Sequence, residues 1–518
     1  MKKHKWIPWL VIAVMAFAYN YHQTLFKGPM SRHQWRQSDA LSMTLNYAEG
    51  TSLFEPQIHY QDVGEGHGVG ELPIIYYFNA QMWQVVGENP FTPRLLTFIF
   101  MLLGLWALHK IAYRFTQDAF WSWMLPWTLF CAPLFVFYGN NFLVNIPALS
   151  LVFLSWHWVI SFYDTNKKKY LWLGVVAITM AGLLRMTMLL GWIPFGVIWL
   201  EVLWKGKKVQ HGIPTRAFWL LTFIPIMVCG IWFFIVKYYN ENYHSQYFLT
   251  TIRPLWKVEN LEQHFKSFLY FIWGEFHLSG FRWLFPVILV FLLTRINVLK
   301  NRWGVSLLLV AVASIFYLVL WANNLDVHDY YMLEMYILYA MILLAVLYAI
   351  QEWRPSLFYS KTLRIIAAAG LVWMIYQTAA WQRVKYDPAD RFAQHAMVID
   401  KEHMERWEYE KWAQDTQIAP FKVMREGKSE WGLNRNAVVV VPQDPSPNIT
   451  LYMMDLKGYT GMYYTDIPWS ERLKMYHDRG AEYLLIRDEA NIETLGIDPS
   501  QIFKIGQREQ ISIYRILP

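Results

Sequence analysis

The sequence predicts an α-helical polytopic membrane protein with about eleven transmembrane helices and a C-terminal soluble α/β domain. Of its 518 residues, 55% are hydrophobic and 18% are aromatic, and the mean hydropathy is positive. Only 16% of the residues are charged, whereas soluble proteins carry about 25%. The charge is also divided, because residues 386–518 carry a net charge of −5 and the remainder carries +12.

Apolar runs that can cross the hydrocarbon core of a bilayer need about 17–25 residues. By that criterion the candidate spans are 6–25, 95–113, 119–138, 143–163, 170–186, 188–204, 217–236, 281–294, 305–322, 333–350 and 365–381. The first run follows the basic head "MKKHK" and lacks a small-residue cleavage site. We therefore expect it to be a retained span and not a removed signal peptide.

Lysine and arginine alternate between the predicted loops, which indicates the orientation of the chain. With "MKKHK" on the cytoplasmic side, the other cytoplasmic loops are basic, namely 164–169, 205–216, 295–302 and 354–364. The opposite loops are 26–94, 139–142, 237–280, 323–332 and everything after 382. The sequence thus predicts a cytoplasmic N-terminus, a membrane domain 1–385 with a long first outside loop 26–94, and an extracytoplasmic domain 386–518.

The first outside loop should contain two helices. One begins at Ser38 or Asp39, ends at Gly50 and has an apolar face, so we expect it to lie in the membrane interface. The other covers 74–87 and begins directly after Pro73. In the C-terminal domain the patterns predict strands at 437–441, 483–487 and 510–517 and a helix at 471–480.

Several classes of function are disfavoured by composition. The two cysteines, Cys131 and Cys229, lie in apolar runs, so they offer neither a disulfide framework nor a zinc site. The total charge of +7 is explained by membrane anchoring, and we expect no nucleic-acid partner.

Two acidic residues of the first outside loop are candidates for catalysis. Asp39 follows Arg36 by three residues, so it could accept a proton beside a phosphate held by the arginine. By spacing alone, however, Asp39 is more typical of a helix start than of a catalytic acid. Glu71, in "GELP", could bind an acceptor hydroxyl or a metal, or simply shape the loop.

A second group lies in "NNLDVHDYY", residues 323–331, before a late span. His328, Tyr330 and Tyr331 could donate hydrogen bonds to a phosphate or a sugar, although paired tyrosines are also typical interfacial anchors. Asp326 and Asp329 beside His328 form only a weak metal pattern.

Two arginines lie at predicted outside edges of spans. Arg185, in "AGLLRMTMLLG", is costly there unless it is paired or snorkels, so it is a functional candidate. Arg94 is a similar candidate but is also explained as an anchor.

The stretches "HQWRQSDALSMTLNYAEG", "GELPIIYYFNAQMW" and "PRLLTFIF" resemble the first extracytoplasmic loop of GT-C glycosyltransferases. Within that superfamily the sequence is similar to glycosyltransferase family 39, the protein O-mannosyltransferase-like group, and to the bacterial lipid A aminoarabinose transferases. "HDYY" resembles a segment of the same family before a late span. The resemblance implies a GT-C fold in a bacterial inner membrane and a sugar donor carried on polyprenyl phosphate.

By position, the resemblance assigns Asp39 as the catalytic base, Glu71 as the acidic residue before the proline, and Arg185 as a ligand of the donor phosphate. We add Arg36, His328 and Arg94 as further phosphate ligands. The expected contacts with acceptor or sugar are His33, Trp35, Tyr330, Tyr331 and Asn145.

One position departs from the family. In "GNNFLVNIPALSL" (139–151), relatives commonly carry an Asp where this chain has Asn145. An amide is neither a base nor a strong metal ligand, so no metal site is indicated and a divalent metal remains only an open alternative.

The sequence therefore favours a membrane glycosyltransferase that moves a sugar, with inversion, to a lipid, glycan or protein acceptor on the extracytoplasmic face. A lipid or glycan flippase is the first alternative, but such proteins place ionisable groups at mid-membrane on broken helices. A non-catalytic membrane scaffold is the second.

Overall fold

A computed structural model describes residues 6–62, 64–205, 215–245, 252–295, 302–325 and 328–518. Several predicted features lie wholly or partly outside these ranges: the basic head 1–5, Asp326, and parts of the loops 26–94, 205–216, 237–280, 295–302 and 323–332. Helices dominate the described residues, and one small β-sheet lies near the C-terminus.

Each predicted span coincides with a helix or a pair of helices. Their bounds are Ile7–Ala18, Phe91–Thr116, Ala119–Leu129 with Pro133–Gly139, Asn145–Thr165, Lys168–Leu184, Ile193–Lys205, Thr215–Asn242, Ser279–Thr294, Arg302–Leu320, Met335–Trp353 and Lys361–Tyr386. Within the described ranges, six helices are long and apolar enough to cross a membrane, or seven with the bent pair. The prediction of several membrane-crossing helices is confirmed, whereas the number eleven stays a prediction.

Local chemistry explains where some of these helices begin. The side chain of Asp118 accepts from the backbone N–H groups of Phe120 and Trp121 at 3.0 and 3.1 Å, which caps the helix that follows. The predicted span 119–138 bends by 78° between its two helices. Pro133 lies at the start of the second helix, where its missing N–H costs nothing.

Shorter helical segments connect the long helices and build the C-terminal region. The α-helical ones are Tyr21–Thr24, Leu261–Ser267, Trp273–Phe276, Ala322–Leu325, Pro355–Phe358, Arg391–Gln394, Lys401–Ala413, Val423–Gly427, Ile449–Met454 and Ala490–Thr494. The 3-10 segments include Met186–Trp192 and Asp329–Glu334. Phe268–Ile272 and Gln414–Ile418 are π-helical.

The first-loop helix covers Gln34–Ala48, so it begins before the predicted start. Ser38 and Asp39 lie inside it and are fully buried, and the prediction that one of them caps it is wrong. The predicted position in the membrane interface stays a prediction. The helix packs on Ile74–Val86 and on the C-terminal helix Ile449–Met454. The second loop helix, Ile74–Val86, follows Pro73 as predicted.

The C-terminal sheet has five strands, β1 (Val438–Val441), β2 (Lys457–Thr460), β3 (Tyr483–Arg487), β4 (Ile502–Arg508) and β5 (Ile511–Ile516). Their order is β2-β1-β3-β5-β4, with β1 parallel to β2 and β3, and β5 antiparallel to β3 and β4. The predicted β1, β3 and β5 are confirmed, and the predicted helix 471–480 is observed as Trp469–Asp478. The sequence missed β2, which is four residues long with a glycine, and β4, whose pairing with β5 is irregular between Lys504 and Gly506.

The C-terminal region packs directly on the first outside loop. Leu41 of the loop and Leu451 and Val439 of the C-terminal region belong to one continuous hydrophobic core. A parallel bridge pairs Tyr60 with Gly458 of β2. The division at residue 385 stays a prediction, and the packing places the C-terminal region against the loop that carries the candidate site.

Candidate functional site

The first-loop helix brings Arg36 and Asp39 to the same side, one turn apart. Arg36 Nη2 donates to Glu71 Oε1 at 2.5 Å, and its Nη1 lies 3.8 Å from Asp39 Oδ2. The hydroxyl of Tyr76, on the second loop helix, also donates to Glu71 Oε1, at 2.7 Å. The two carboxylates predicted for catalysis therefore share one arginine.

Electrostatics keep this arginine charged. Burial by itself lowers the pKa of Arg36, but the Glu71 carboxylate, followed by Tyr76 and Asp39, outweighs burial and holds the pKa well above its usual value. The guanidinium is therefore a permanent cation beside two carboxylates. The Tyr330 hydroxyl also raises the pKa of Arg36, so the guanidinium lies near the segment 323–331 as well.

An aromatic cluster surrounds Tyr330. The ring centroids of His33, His328 and Tyr331 lie 5.1, 5.4 and 4.9 Å from that of Tyr330. Trp35 lies 5.8 Å from His328, centroid to centroid. These five residues come from the start of the first-loop helix and from "HDYY", two segments about three hundred residues apart in sequence.

Arg185 reaches the same cluster from the end of Lys168–Leu184. Its guanidinium carbon lies 4.7 Å from the ring centroid of Tyr331 and 5.5 Å from that of Tyr330. Its Nε donates to Glu334 Oε1, which also accepts from the Thr187 hydroxyl at 2.5 Å. A guanidinium in apolar surroundings is costly unless it is paired or snorkels, and Glu334 supplies the partner of Arg185.

Several polar atoms of this cluster are buried and have no hydrogen-bond partner among the residues that the structure describes. They include Nη2 of Arg185, Nδ1 of His328 and Nε2 of His33, the last of which nevertheless lies 3.1 Å from Asp329 Oδ1. Burial, together with the neighbouring His33, lowers the pKa of His328 to about 3, so the imidazole is neutral at physiological pH. It offers one N–H group but no charge. Buried donors without partners are rare and call for a ligand or a water.

Beneath the aromatic cluster lies a network of buried charges. Asp329 Oδ2 lies 2.6 Å from Arg32 Nε, and its Oδ1 lies 3.1 Å from His33 Nε2 and accepts from the Tyr138 hydroxyl at 2.5 Å. Glu275 Oε2 accepts from Lys385 Nζ at 2.5 Å, and its Oε1 lies 3.9 Å from Arg32 Nη1. The network joins the first loop, the start of a late span and the end of the helix Lys361–Tyr386.

Comparison with known proteins gives two sets of results. No protein-family model and no curated protein matches the sequence. Among solved structures, ArnT from Cupriavidus metallidurans bound to undecaprenyl phosphate has a TM-score of 0.59 at 11% identity, covering 98% of both chains. ArnT in the apo state has a TM-score of 0.56 at 11% identity, covering 98% of this chain and 97% of ArnT.

The chain has the GT-C fold. The prediction of a GT-C membrane fold with a C-terminal sheet region is thereby confirmed. A further similar structure is the archaeal oligosaccharyltransferase AglB from Archaeoglobus fulgidus in complex with an inhibitory peptide and a dolichol-phosphate, with a TM-score of 0.48 at 11% identity, covering 93% of this chain and 70% of that chain.

Within the GT-C fold, ten of the eleven predicted site residues lie in one neighbourhood. They are Asp39, Glu71, Arg36, Arg185, His328, His33, Trp35, Tyr330, Tyr331 and Asn145, whose amide donates to the Tyr330 carbonyl at 3.3 Å. Their roles stay predictions.

Arg94 has different surroundings. Its fully buried guanidinium donates to the backbone carbonyls of Lys27, Gly28 and Asn140. These contacts indicate that Arg94 holds the backbone of the loop in place. We therefore do not keep Arg94 among the proposed phosphate ligands.

The sequence interpretation missed the partners that hold these residues. Arg32, Glu275, Glu334, Lys385 and Tyr138 were not among the candidates, and Asp329 was considered only as a metal ligand. Glu275, Glu334 and Lys385 are ionisable groups within or beside apolar runs, which is a signal that could have identified them. Among the described residues, no group of three or more His, Cys, Asp or Glu side chains is arranged to hold a metal ion.

Proposed function

We propose that this protein is a membrane glycosyltransferase that transfers a sugar from a polyprenyl-phosphate-linked donor to an acceptor on the extracytoplasmic face. The GT-C fold supports the reaction class, since ArnT has the same fold and its crystal structure contains undecaprenyl phosphate. The observation that carries the proposal is the site itself, in which two carboxylates and two arginines meet beside a cluster of aromatic rings.

Each side chain has a role that its contacts support. Arg36 and Arg185 bind the donor phosphate, because guanidinium groups pair with phosphate oxygens through two N–H bonds. Nη2 of Arg185 is buried and has no hydrogen-bond partner in the described chain, so it is available to such an oxygen. His328 adds one neutral N–H group. Glu71 orients Arg36 through their 2.5 Å contact.

The remaining residues shape the sugar site. Trp35, Tyr330 and Tyr331 present rings against which the apolar face of a sugar can pack. Asn145 fixes the backbone at Tyr330 through its amide contact with that carbonyl. In this role Asn145 holds the site in shape and takes no part in proton transfer.

Asp39 is the general base. Sugar transfer passes through an oxocarbenium-like transition state, in which the bond to the leaving phosphate breaks while the acceptor oxygen approaches from the opposite face. Asp39 takes the proton of that acceptor hydroxyl, and the two arginines stabilise the negative charge that develops on the phosphate. A single displacement of this kind inverts the configuration at the anomeric carbon.

The proposed orientation places residues 1–385 in a bacterial inner membrane, the N-terminus in the cytoplasm and residues 386–518 outside. The acceptor is a lipid, a glycan or a protein. Asp39 is fully buried, and Tyr463 of the C-terminal region lies within electrostatic range of it. The acceptor hydroxyl would therefore reach Asp39 past the boundary between the first loop and the C-terminal region.

The test is to identify the lipids that co-purify with the protein. Wild type and an Asp39→Asn variant are purified in mild detergent, and their bound lipids are analysed by mass spectrometry. We expect a polyprenyl-phosphate sugar, enriched in the variant because the donor binds but is not consumed. Bulk phospholipid alone in both samples, with no binding of added undecaprenyl phosphate, would contradict the proposal and favour the flippase or scaffold.

A further inference from the structure

The network beneath the aromatic cluster is unusual in its burial. The side chains of Asp329, Glu275 and Lys385 are wholly inaccessible to solvent, and that of Arg32 is 6% exposed. Burying charges carries a large desolvation penalty, which a set of ion pairs often only offsets. Stability alone therefore does not account for this network. We expect its role to be the orientation of the side chains that it contacts.

The backbone around Arg32 is also held in a costly conformation. Ser31 and His33, on either side of it, have φ angles of 61° and 54°, in the left-handed region that disfavours residues with a side chain. Such strain persists only where surrounding contacts over-determine it. Here it directs both Arg32 and His33 to the same carboxylate, with Arg32 at Oδ2 and His33 at Oδ1.

Asp329 lies against one ring nitrogen of His33. Nε2 of His33 lies 3.1 Å from Asp329 Oδ1, and Tyr138 donates to the same oxygen. A carboxylate on one nitrogen of a histidine fixes the ring orientation and directs the other nitrogen to a ligand. Nδ1 is then the ring nitrogen of His33 that can bind a ligand beside the aromatic cluster.

His33 and Arg185 flank the same ring. The centroid of Tyr330 lies 5.1 Å from that of His33 and 5.5 Å from the guanidinium carbon of Arg185. The charges of Arg32 and Asp329 balance each other, as do those of Lys385 and Glu275. A protonated His33 would therefore add one positive charge beside Tyr330, next to the proposed phosphate ligands.

We infer that His33 is a further ligand of the donor phosphate and that Asp329 is the positioning residue that presents it. The inference rests on the proposed function, because it assigns a role at that same site. A hydrogen bond from Nδ1 to phosphate, with Nε2 donating to Asp329, requires a proton on both ring nitrogens, so the inference places an imidazolium between the two anions.

During transfer the proton balance is simple. The bond between the anomeric carbon and the phosphate oxygen breaks, and its electron pair stays on that oxygen. The acceptor oxygen forms the new bond and gives its proton to Asp39. His33 keeps its proton and donates a hydrogen bond to the phosphate, whose negative charge increases as the sugar leaves.

The experiment measures undecaprenyl phosphate binding to the purified full-length protein by native mass spectrometry. The variants are His33→Gln, Asp329→Asn, the two combined, and Asp329→Glu. We expect His33→Gln to weaken binding by about tenfold, as for the loss of a charge-assisted hydrogen bond. Asp329→Asn should weaken binding by a similar factor, and the double variant should bind no more weakly than His33→Gln alone, since both changes remove one interaction.

A matched control breaks the other half of the network. Glu275→Gln combined with Lys385→Met removes a buried ion pair of the same network, and no ion pair of either residue with His33 is found in the described chain. It should lower the thermal unfolding midpoint while leaving lipid binding within about twofold of wild type. Asp329→Glu retains the carboxylate and should recover part of the binding, which a purely structural role for Asp329 would not produce.

The outcomes separate this inference from the proposed function. If wild type binds and Arg185→Ala binds more weakly, but His33→Gln binds as tightly as wild type, then His33 is not a phosphate ligand and the inference is wrong. If Asp329→Asn does not fold, Tyr138→Phe with and without His33→Gln supplies the same cycle. If wild type does not bind undecaprenyl phosphate at all, the proposed donor class itself is wrong.

Discussion

Arg185 and Glu334 form an ion pair across 149 residues of sequence, and the pair lies against Tyr331. The contact joins the end of one apolar helix to the start of another. It leaves Nη2 of Arg185 buried and without a hydrogen-bond partner in the described ranges. A charge placed this way is held by one carboxylate while part of its hydrogen-bonding capacity remains for a ligand.

Replacing Arg185 by lysine should weaken the binding of undecaprenyl phosphate by about tenfold. Lysine keeps the charge but cannot pair with Glu334 and a phosphate through one planar group. The measurement is native mass spectrometry of the detergent-purified protein. Arg364→Lys is the matched control, because Arg364 is paired with Asp118 at 2.5 Å and should leave binding unchanged. Equal affinity in both variants would remove Arg185 from the site.

Asp39→Asn should reduce sugar transfer by 10²-fold or more, about the factor that general-base catalysis contributes, without loss of expression. The amide has nearly the same shape but cannot take the acceptor proton. Transfer is followed as release of undecaprenyl phosphate from the co-purified donor. Asp62→Asn is the control, since Asp62 lies in the same loop and pairs with Arg479 at 2.8 Å. Substantial transfer by Asp39→Asn would assign the base elsewhere.

Membrane orientation can be tested with single cysteines. The native Cys131 and Cys229 are buried, so they should react slowly with a charged maleimide. Asp466→Cys and Lys168→Cys place a thiol at exposed positions on the two proposed sides. In intact spheroplasts we expect labelling of residue 466 only, and labelling of residue 168 after lysis. The reverse pattern would invert the proposed topology.

The contact between the first loop and the C-terminal region should weaken in mild acid. His59 is buried between the Ser42 hydroxyl and Asp455. Burial lowers its pKa even though the Asp455 carboxylate opposes that effect. The unfolded chain then binds the proton more readily, so this stability is present above about pH 6.5 and is lost as pH falls below it.

The measurement for this prediction is the thermal unfolding midpoint between pH 7.5 and pH 5. Wild type should lose a few degrees over this range, and His59→Gln, which has no group that titrates there, should lose less. His477→Gln is the control, because His477 is partly exposed near the same region and its loss should not alter the pH dependence. Parallel curves for wild type and His59→Gln would show that His59 does not govern the effect.

How far the sequence could predict the site is shown by the first outside loop. Arg36, Asp39 and Glu71 are close in sequence or carried by recognisable motifs, so local spacing and family resemblance identified them. The burial of Asp39 was not predicted. Helical periodicity indicates an apolar face, but it does not reveal that the C-terminal helix Ile449–Met454 also packs on this helix.

The amino-acid sequence by itself determined that the chain crosses a membrane several times and where its helices lie, and it predicted which loop carries the candidate site. Those properties follow from hydrophobicity, charge and turn residues, which act over a few neighbouring positions. Only the tertiary structure decided that Asp329 contacts His33, that Glu334 pairs with Arg185 and that Arg94 donates hydrogen bonds to backbone carbonyls. Such pairs join residues far apart in the chain, and a buried charge acquires its partner only when the helices pack.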